Sequence, residues 1–347
     1  MPKSDLVATD LQTRAFDFAC LRLRSIAQTF RPVCSILLLA TGIYCLSDLA
    51  IAQQPPQRPH IFGIERVQFF SSNIAATRDF YSRLIAAKQL SGYAGCDRDA
   101  ATSGVYVLGG QQAIGISLLP SPAPSNLLDE ITFGTDDLLA MQHYLEFHKI
   151  PVIIEKWPDP CKPRAAQLTV TDPEGHRVSF FEWPNSESER TSEIPVTTRL
   201  IHAGFVVHDR AAEDAFYKDL LGFHLYWHGG MTDAQTDWVD MQVPDGAEWI
   251  EYMLNVPADA NKHTLGVMDH VAIGVPNIHE AYQALVDRGW KPKEEPKIGR
   301  DGKWQLNLYD PDDTRIELME FTPTDKPCCS SYVGTHPGLP QSPQSNP

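Results

Sequence analysis

Positive charge is scarce in this chain. Against 44 Asp and Glu stand 29 Lys and Arg, a formal net charge of −15 at pH 7 over 347 residues. A phosphate backbone needs clustered cations, so the composition argues against a nucleic-acid partner. Long apolar runs are also few. The run SILLLATGIYCLS (35–47) is too short to span a bilayer comfortably. It follows Arg22, Arg24 and Arg31 and precedes Ala50-Ile51-Ala52, the pattern of a signal peptide with an A-x-A cleavage site. Residues 1–52 therefore read as a leader. The expected protein is exported, periplasmic or secreted, with no stable membrane insertion after cleavage. Cysteine shows no zinc-ribbon spacing. Cys96, Cys161, Cys328 and Cys329 remain beyond the leader, an even number that allows three connectivities, and free thiols are as compatible with the sequence.

What the chain has is repetition. After a Pro- and Gln-rich linker (53–60), one plan recurs four times, in residues 61–120, 127–184, 199–256 and 268–322. Each copy opens on a strand with period-2 alternation, continues into one helix and closes on further strands. Phe80-Tyr81 in the first helix matches Phe216-Tyr217 in the third, and DPEGHRVSFFEW matches DPDDTRIELMEF. Internal repetition at about 60 residues defines the organisation. Residues 185–198 read as a linker between two pairs of repeats. Residues 323–347, rich in Pro, Ser and Gly, read as a disordered tail.

In the second pair, each first strand carries a histidine, His202 in LIHAGFVVHD and His270 in MDHVAIGVPN. Each last strand carries a glutamate, Glu251 in WIEYMLN and Glu317 in RIELMEF. Side chains on a strand alternate faces, so Arg315, Glu317 and Met319 share one side and Glu320 lies on the other. Two imidazoles and two carboxylates at matched repeat positions predict a site for one divalent metal ion: Ni, Zn, Mn, Co or Fe(II). The matching positions of the first pair are Arg66, Gly115, Glu130 and Ser179, which cannot form such a site.

These strands, the FYKDLLGF helix and the DPDDTRIEL terminus resemble the vicinal oxygen chelate superfamily of glyoxalases, bleomycin-resistance proteins and extradiol dioxygenases. The resemblance covers residues 61–322. It implies an α+β fold of four βαβββ modules forming two paired-module domains, a degenerate one at 61–184 and a metal-binding one at 199–322. It also implies the ligand set His202, Glu251, His270 and Glu317.

Two enzyme readings follow. With all four ligands the chain is similar to glyoxalase I, a lactoylglutathione-lyase-like isomerase. There the metal stabilises an enediolate and Glu251 or Glu317 moves the proton. With His202, His270 and Glu317 alone it resembles the Fe(II) extradiol ring-cleaving dioxygenases, which share the two-domain layout. KWQLNLYDPDDTRIE lacks the His and the spaced Tyr of that group. Asn255 matches an asparagine that glyoxalase I uses on glutathione, whereas Val206 stands where its arginine is expected. Gln305, Asn307 and Tyr309 share a strand face and are weaker substrate candidates, as are His224, Tyr226 and His228; Trp238 and Trp249 read as core. A third reading is a small-molecule binding or resistance protein. The implied partner is a small-molecule substrate, and the chain acts as a monomer or homo-oligomer.

Overall fold

Alternating strands dominate the computed structural model, which describes residues 55–89, 101–109, 112–156, 166–182 and 199–338. The expected leader, the linker 185–198, Cys96, Cys161 and residues 339–347 lie outside the described residues. The first repeat contains β1 (Ile61–Ser71), α1 (Ile74–Asp79), β2 (Lys88–Gln89), β3 (Ser103–Val107) and β4 (Ala113–Leu118). The second contains β5 (Leu128–Thr135), α2 (Leu138–Phe147), β6 (Ile153–Lys156), β7 (Ala166–Thr171) and β8 (Arg177–Glu182). The third contains β9 (Arg199–Val206), α3 (Arg210–Glu213), β10 (His224–Gly229), β11 (Trp238–Gln242) and β12 (Trp249–Met253). After α4 (Lys262–Met268), the fourth contains β13 (His270–Val275), α5 (Ile278–Asp287), β14 (Lys297–Ile298), β15 (Trp304–Tyr309) and β16 (Arg315–Glu320).

The strands form two eight-stranded sheets of the same topology, β2-β3-β4-β1-β5-β8-β7-β6 and β10-β11-β12-β9-β13-β16-β15-β14. In each, the two first strands of a repeat pair run antiparallel at the centre, and each pairs in parallel with the last strand of its own repeat. First and last strands are therefore neighbours in space. This places the four expected ligands on adjacent central strands.

Helices cap alike. Asn73, Asp137, Asp209 and Asn277 each accept a backbone N–H from the first turn of α1, α2, α3 and α5. Glu182 and Glu320, on the strand face away from the cup, accept the first amides of α2 and α5, from Leu138 and Ile278. Glu320 is thus occupied elsewhere, as its strand parity predicts.

One apolar core runs through both halves, from Ile61 and Phe69 to Ile316 and Leu318. Two reciprocal hydrogen bonds cross between the halves. Tyr217 donates to Asp172 at 3.1 Å, and Tyr81 donates to Asp310 at 3.4 Å. Each tyrosine is fully buried in a π-helical turn continuing α3 or α1, and each aspartate opens the Asp-Pro turn of the opposite half. A hydrogen bond to a charged group contributes about 1.5–3 kcal/mol. The repeated Phe-Tyr and Asp-Pro motifs therefore join the two domains.

Residues 323–338 correct the expected disordered tail. Val333 N–H donates to the Tyr226 carbonyl, Cys328 N–H to the Arg300 carbonyl, and Gln242 Nε2 to the Thr335 carbonyl. These bonds hold the segment as a strap along the second sheet. Cys328 and Cys329 are joined to each other in a vicinal disulfide. Among the described residues, no helix is long and apolar enough to cross a membrane.

Candidate metal centre

His202 and His270 enter from the two central strands, β9 and β13, and their Nε2 atoms stand 3.0 Å apart. Glu251 Oε2, from β12, lies 3.2 Å from His270 Nε2 and 3.8 Å from His202 Nε2. Glu317 Oε2, from β16, lies 3.5 Å from His202 Nε2 and 3.7 Å from His270 Nε2. Ligands about 2.1 Å from one ion and at right angles are separated by about 3 Å, so the donor spacing suits a single cation. His202, Glu251 and His270 form one group close enough to share an ion, and Glu317 stands beside both imidazoles.

The tautomer of His270 also fits. Its Nδ1 is 2.7 Å from the Met268 carbonyl, which can only accept, so Nδ1 carries the proton. Arg315 Nη2, which can only donate, lies 2.7 Å from His270 Nε2. Nε2 therefore carries the lone pair, which here accepts from Arg315 and which a metal would take in that bond's place. Burial, and then the Arg315 charge, push the His270 pKa down, keeping the ring neutral.

The carboxylates are ionised. Burial alone would raise Glu317, but the hydrogen bond to His202 and the charge of Arg315 bring it down to about 2. Glu251 is subject to the same burial and is lowered by His270 and His202. A neutral His270 imidazole, the His202 ring and two carboxylates are a hard-to-borderline donor set that suits a divalent first-row ion. Gly204, between Glu251 and His270 in strand register, makes room for the imidazole. A Cβ there would collide with the His270 ring.

The centre lies in a cavity of about 340 Å³. Trp227, Trp238 and Trp249 contribute aromatic wall; Trp249 is at the same time buried in an apolar cluster of the second sheet and Trp238 packs against it, as their reading as core expects. Gln305 and Asn307 line the cavity as expected, together with Arg315, Glu317 and Met319. Tyr309 is not among the lining residues. Asn255 also lies outside the lining; at φ 61° it closes a turn, its amide donating to the Thr236 carbonyl and to Asp237. His224 is exposed, Tyr226 is buried behind the cavity, and His228 is bound to Ser330 of the strap through its backbone.

Asp240, Arg300 and Lys297 also line the cavity, and no sequence motif marks them. Asp240 pairs with Glu251 across the strands. Burial, and then the Glu251 charge, raise its carboxyl well above the ordinary range, and Oδ1 has no hydrogen-bond partner among the described residues. The alternation Trp238, Asp240, Gln242 in β11 could have shown that it faces the cup.

In the first sheet, register places Arg66, Gly115, Glu130 and Ser179 where His202, Glu251, His270 and Glu317 stand. Arg66 Nη2 lies 2.7 Å from Glu130 Oε1 and 3.1 Å from Gln167 Oε1. Gln167 also donates to Ser179 at 2.9 Å. A guanidinium ion-paired with Glu130 occupies this cup, which offers no metal-ligating set among the described residues.

A cup built from paired repeats with a His, Glu, His, Glu centre defines a metal-binding protein of the paired-module class. The chain belongs to the Glyoxalase/Bleomycin resistance protein/Dioxygenase superfamily, whose family model matches residues 63–180 and 199–318. Among solved structures it is similar to a homoprotocatechuate 2,3-dioxygenase variant from Brevibacterium fuscum. Identity is 18% over 78% of this chain and 74% of that one, at a TM-score of 0.56. The enzyme of the same name from Arthrobacter globiformis gives 16% identity, 79% and 85% coverage, and a TM-score of 0.57. A catechol 2,3-dioxygenase gives 16% identity, 82% and 97% coverage, and a TM-score of 0.56. No curated protein sequence matches the chain.

Proposed function

We propose that the chain is an Fe(II)-dependent enzyme of the extradiol kind, opening an aromatic ring that carries two adjacent oxygens. The observation that carries this reading is the approach of His270 and Glu317 to His202 Nε2 beside an indole-walled cavity that His202 and Glu317 line. The two-domain layout shared with the dioxygenase structures supports it. A bound Fe(II) would supply a Lewis-acidic, redox-active centre for substrate oxygens and dioxygen. Trp238, the partly exposed indole of the wall, would hold the ring by a face, and Gln305, Asn307 and Arg315 offer polar contacts to its oxygens. Asp240 Oδ1 is the cavity atom positioned to hold a proton. Lys297 and Arg300, also lining residues, would favour a ring bearing an acidic group.

A second reading has its own observation. Glu251 lies 3.2 Å from His270 Nε2 and would serve as a fourth ligand, which suits glyoxalase-like proton transfer beside a carbonyl. Neither the cavity nor the comparisons support lactoylglutathione as its substrate. Export remains part of the proposal, and the Cys328–Cys329 disulfide supports an oxidising compartment.

Elemental analysis of residues 53–347, purified without oxygen, tests these readings. One Fe(II) per chain with oxygen uptake on catechols supports the first. Ni, Zn, Mn or Co with turnover of 2-oxoaldehyde adducts supports the second. No metal after reconstitution would leave a binding protein and sink both.

A further inference from the structure

The two histidines are held differently. His270 is oriented in the usual way for a metal ligand, with Nδ1–H donated to a carbonyl. His202 Nδ1 is buried and has no hydrogen-bond partner among the described residues. Its ring packs against Trp249, 4.9 Å away between centroids and tilted by 36°, and edge-on against His270 at 5.0 Å. Trp249 is 1% exposed. Lys303 Nζ stands 4.3 Å from the centroid of that indole.

Lys303 is 0% exposed, a rare state for a lysine. Its ammonium also lies 5.1 Å from the Tyr226 ring and 5.2 Å from the Tyr332 ring, and it donates to Tyr226 Oη at 3.2 Å. Three aromatic faces thus surround one cation. The strap completes this box: Tyr332 Oη donates to the Asp301 carbonyl at 2.9 Å, and His336 Nδ1 lies 2.6 Å from Tyr226 Oη. A desolvated cation against aromatic faces is held by attraction to their quadrupoles, so the box resists movement of Trp249.

We propose that Lys303 is a positioning residue for the metal centre, with the strap as its lid. The ammonium fixes Trp249, and Trp249 fixes His202 in place of the missing Nδ1 hydrogen bond. The C-terminal strap is thereby part of the centre although it contributes no ligand. The inference rests on the metal-binding reading of the site and is independent of whether the reaction is oxygenation or isomerisation.

The test uses the full chain stripped of metal and titrated with Co(II), following affinity and the visible spectrum of the bound ion. Lys303→Met is expected to weaken Co(II) binding by about 10- to 100-fold, the usual effect of losing a group that orients a ligand. It should also change the spectrum. Lys303→Arg, which keeps a cation that stacks on aromatic rings, should restore most of both. Tyr332→Ala, which opens the box from the strap side, should give an intermediate loss and keeps the test open if Lys303→Met does not fold. Wild-type affinity and spectrum in Lys303→Met, or in Tyr332→Ala should Lys303→Met not fold, would overturn the positioning role. An arginine variant as impaired as the methionine one would overturn it too. If the wild-type chain binds no Co(II), the metal centre fails instead.

Discussion

The two halves share one topology and differ in what fills the cup. In the first, the guanidinium of Arg66 is ion-paired with Glu130, which is 3% exposed, within a network of Gln167, Thr169 and Ser179. In the second, the same strand positions present two imidazole nitrogens and two carboxylates to one point. A fixed cation is built into the first cup, and a cation site into the second. The exchange of space is reciprocal. Gly204 leaves room for His270 where the first half has Gln68, and Gly115 leaves room for Gln68 where the second half has Glu251. The fold supplies the convergence of strands; the side chains at four positions decide the chemistry.

The largest effect that would break this contrast is expected from Glu317→Ala, which should abolish both metal retention after dialysis and any turnover. Retained metal in that variant would remove the site assignment. Next comes Gly204→Ala. The added methyl displaces His270, and metal affinity should fall by about 10- to 100-fold, the usual cost of disturbing what orients a ligand. Circular dichroism should remain unchanged, and a Co(II) titration reads the loss.

Glu251→Ala sharpens the reading of the second cup. Ring-cleaving activity should survive it, whereas a glyoxalase-like reaction should not; steady-state rates on both substrate classes decide between them. Arg66→Met in the first cup should lower stability by about 1–3 kcal/mol, because Glu130 loses its closest charged partner. Metal content should not change, as denaturant unfolding and elemental analysis together would show.

The smallest effect concerns the junction of the halves. Glu213 is buried beside Asp172. Burial, and then the Asp172 charge, raise its carboxyl from 4.5 to about 8. A group held more protonated when folded contributes stability that is full below its unfolded value and is lost as pH rises through the folded one. Glu213→Gln should therefore leave Tm unchanged near pH 4 and raise it by about 2–4 °C at pH 9. A pH-independent difference would show that the ionisation is not what the substitution relieves.

Much of this was legible in the sequence because strand parity is local. Period-2 alternation places Arg315, Glu317 and Met319 on one face, and all three line the cavity. Duplication then pairs His202 with His270 and Glu251 with Glu317. Gly204 could have been noticed two residues after His202, but its necessity lies in the ring of a residue on another strand. Lys303 carried no local signal at all. A lone lysine before a strand reads as solvated surface, and only the packing of Trp249, Tyr226 and Tyr332 from three separate segments buries it. The strap was missed for a related reason. Its Pro, Ser and Gly content suits an unstructured tail, and its order comes from partners such as Tyr226, Gln242 and Arg300, far away in the chain.

By itself the sequence determined the four modules, the parity of their strands, and which half could ligate a metal, because repetition and alternation are properties of neighbours along the chain. Tertiary structure alone decided that His202, Glu251, His270 and Glu317 come within 3.0 to 3.8 Å across the two imidazole nitrogens, that indoles wall the cavity, and that a lysine is sealed behind Trp249. Those depend on which strands lie side by side, and strand pairing joins residues that the chain keeps far apart.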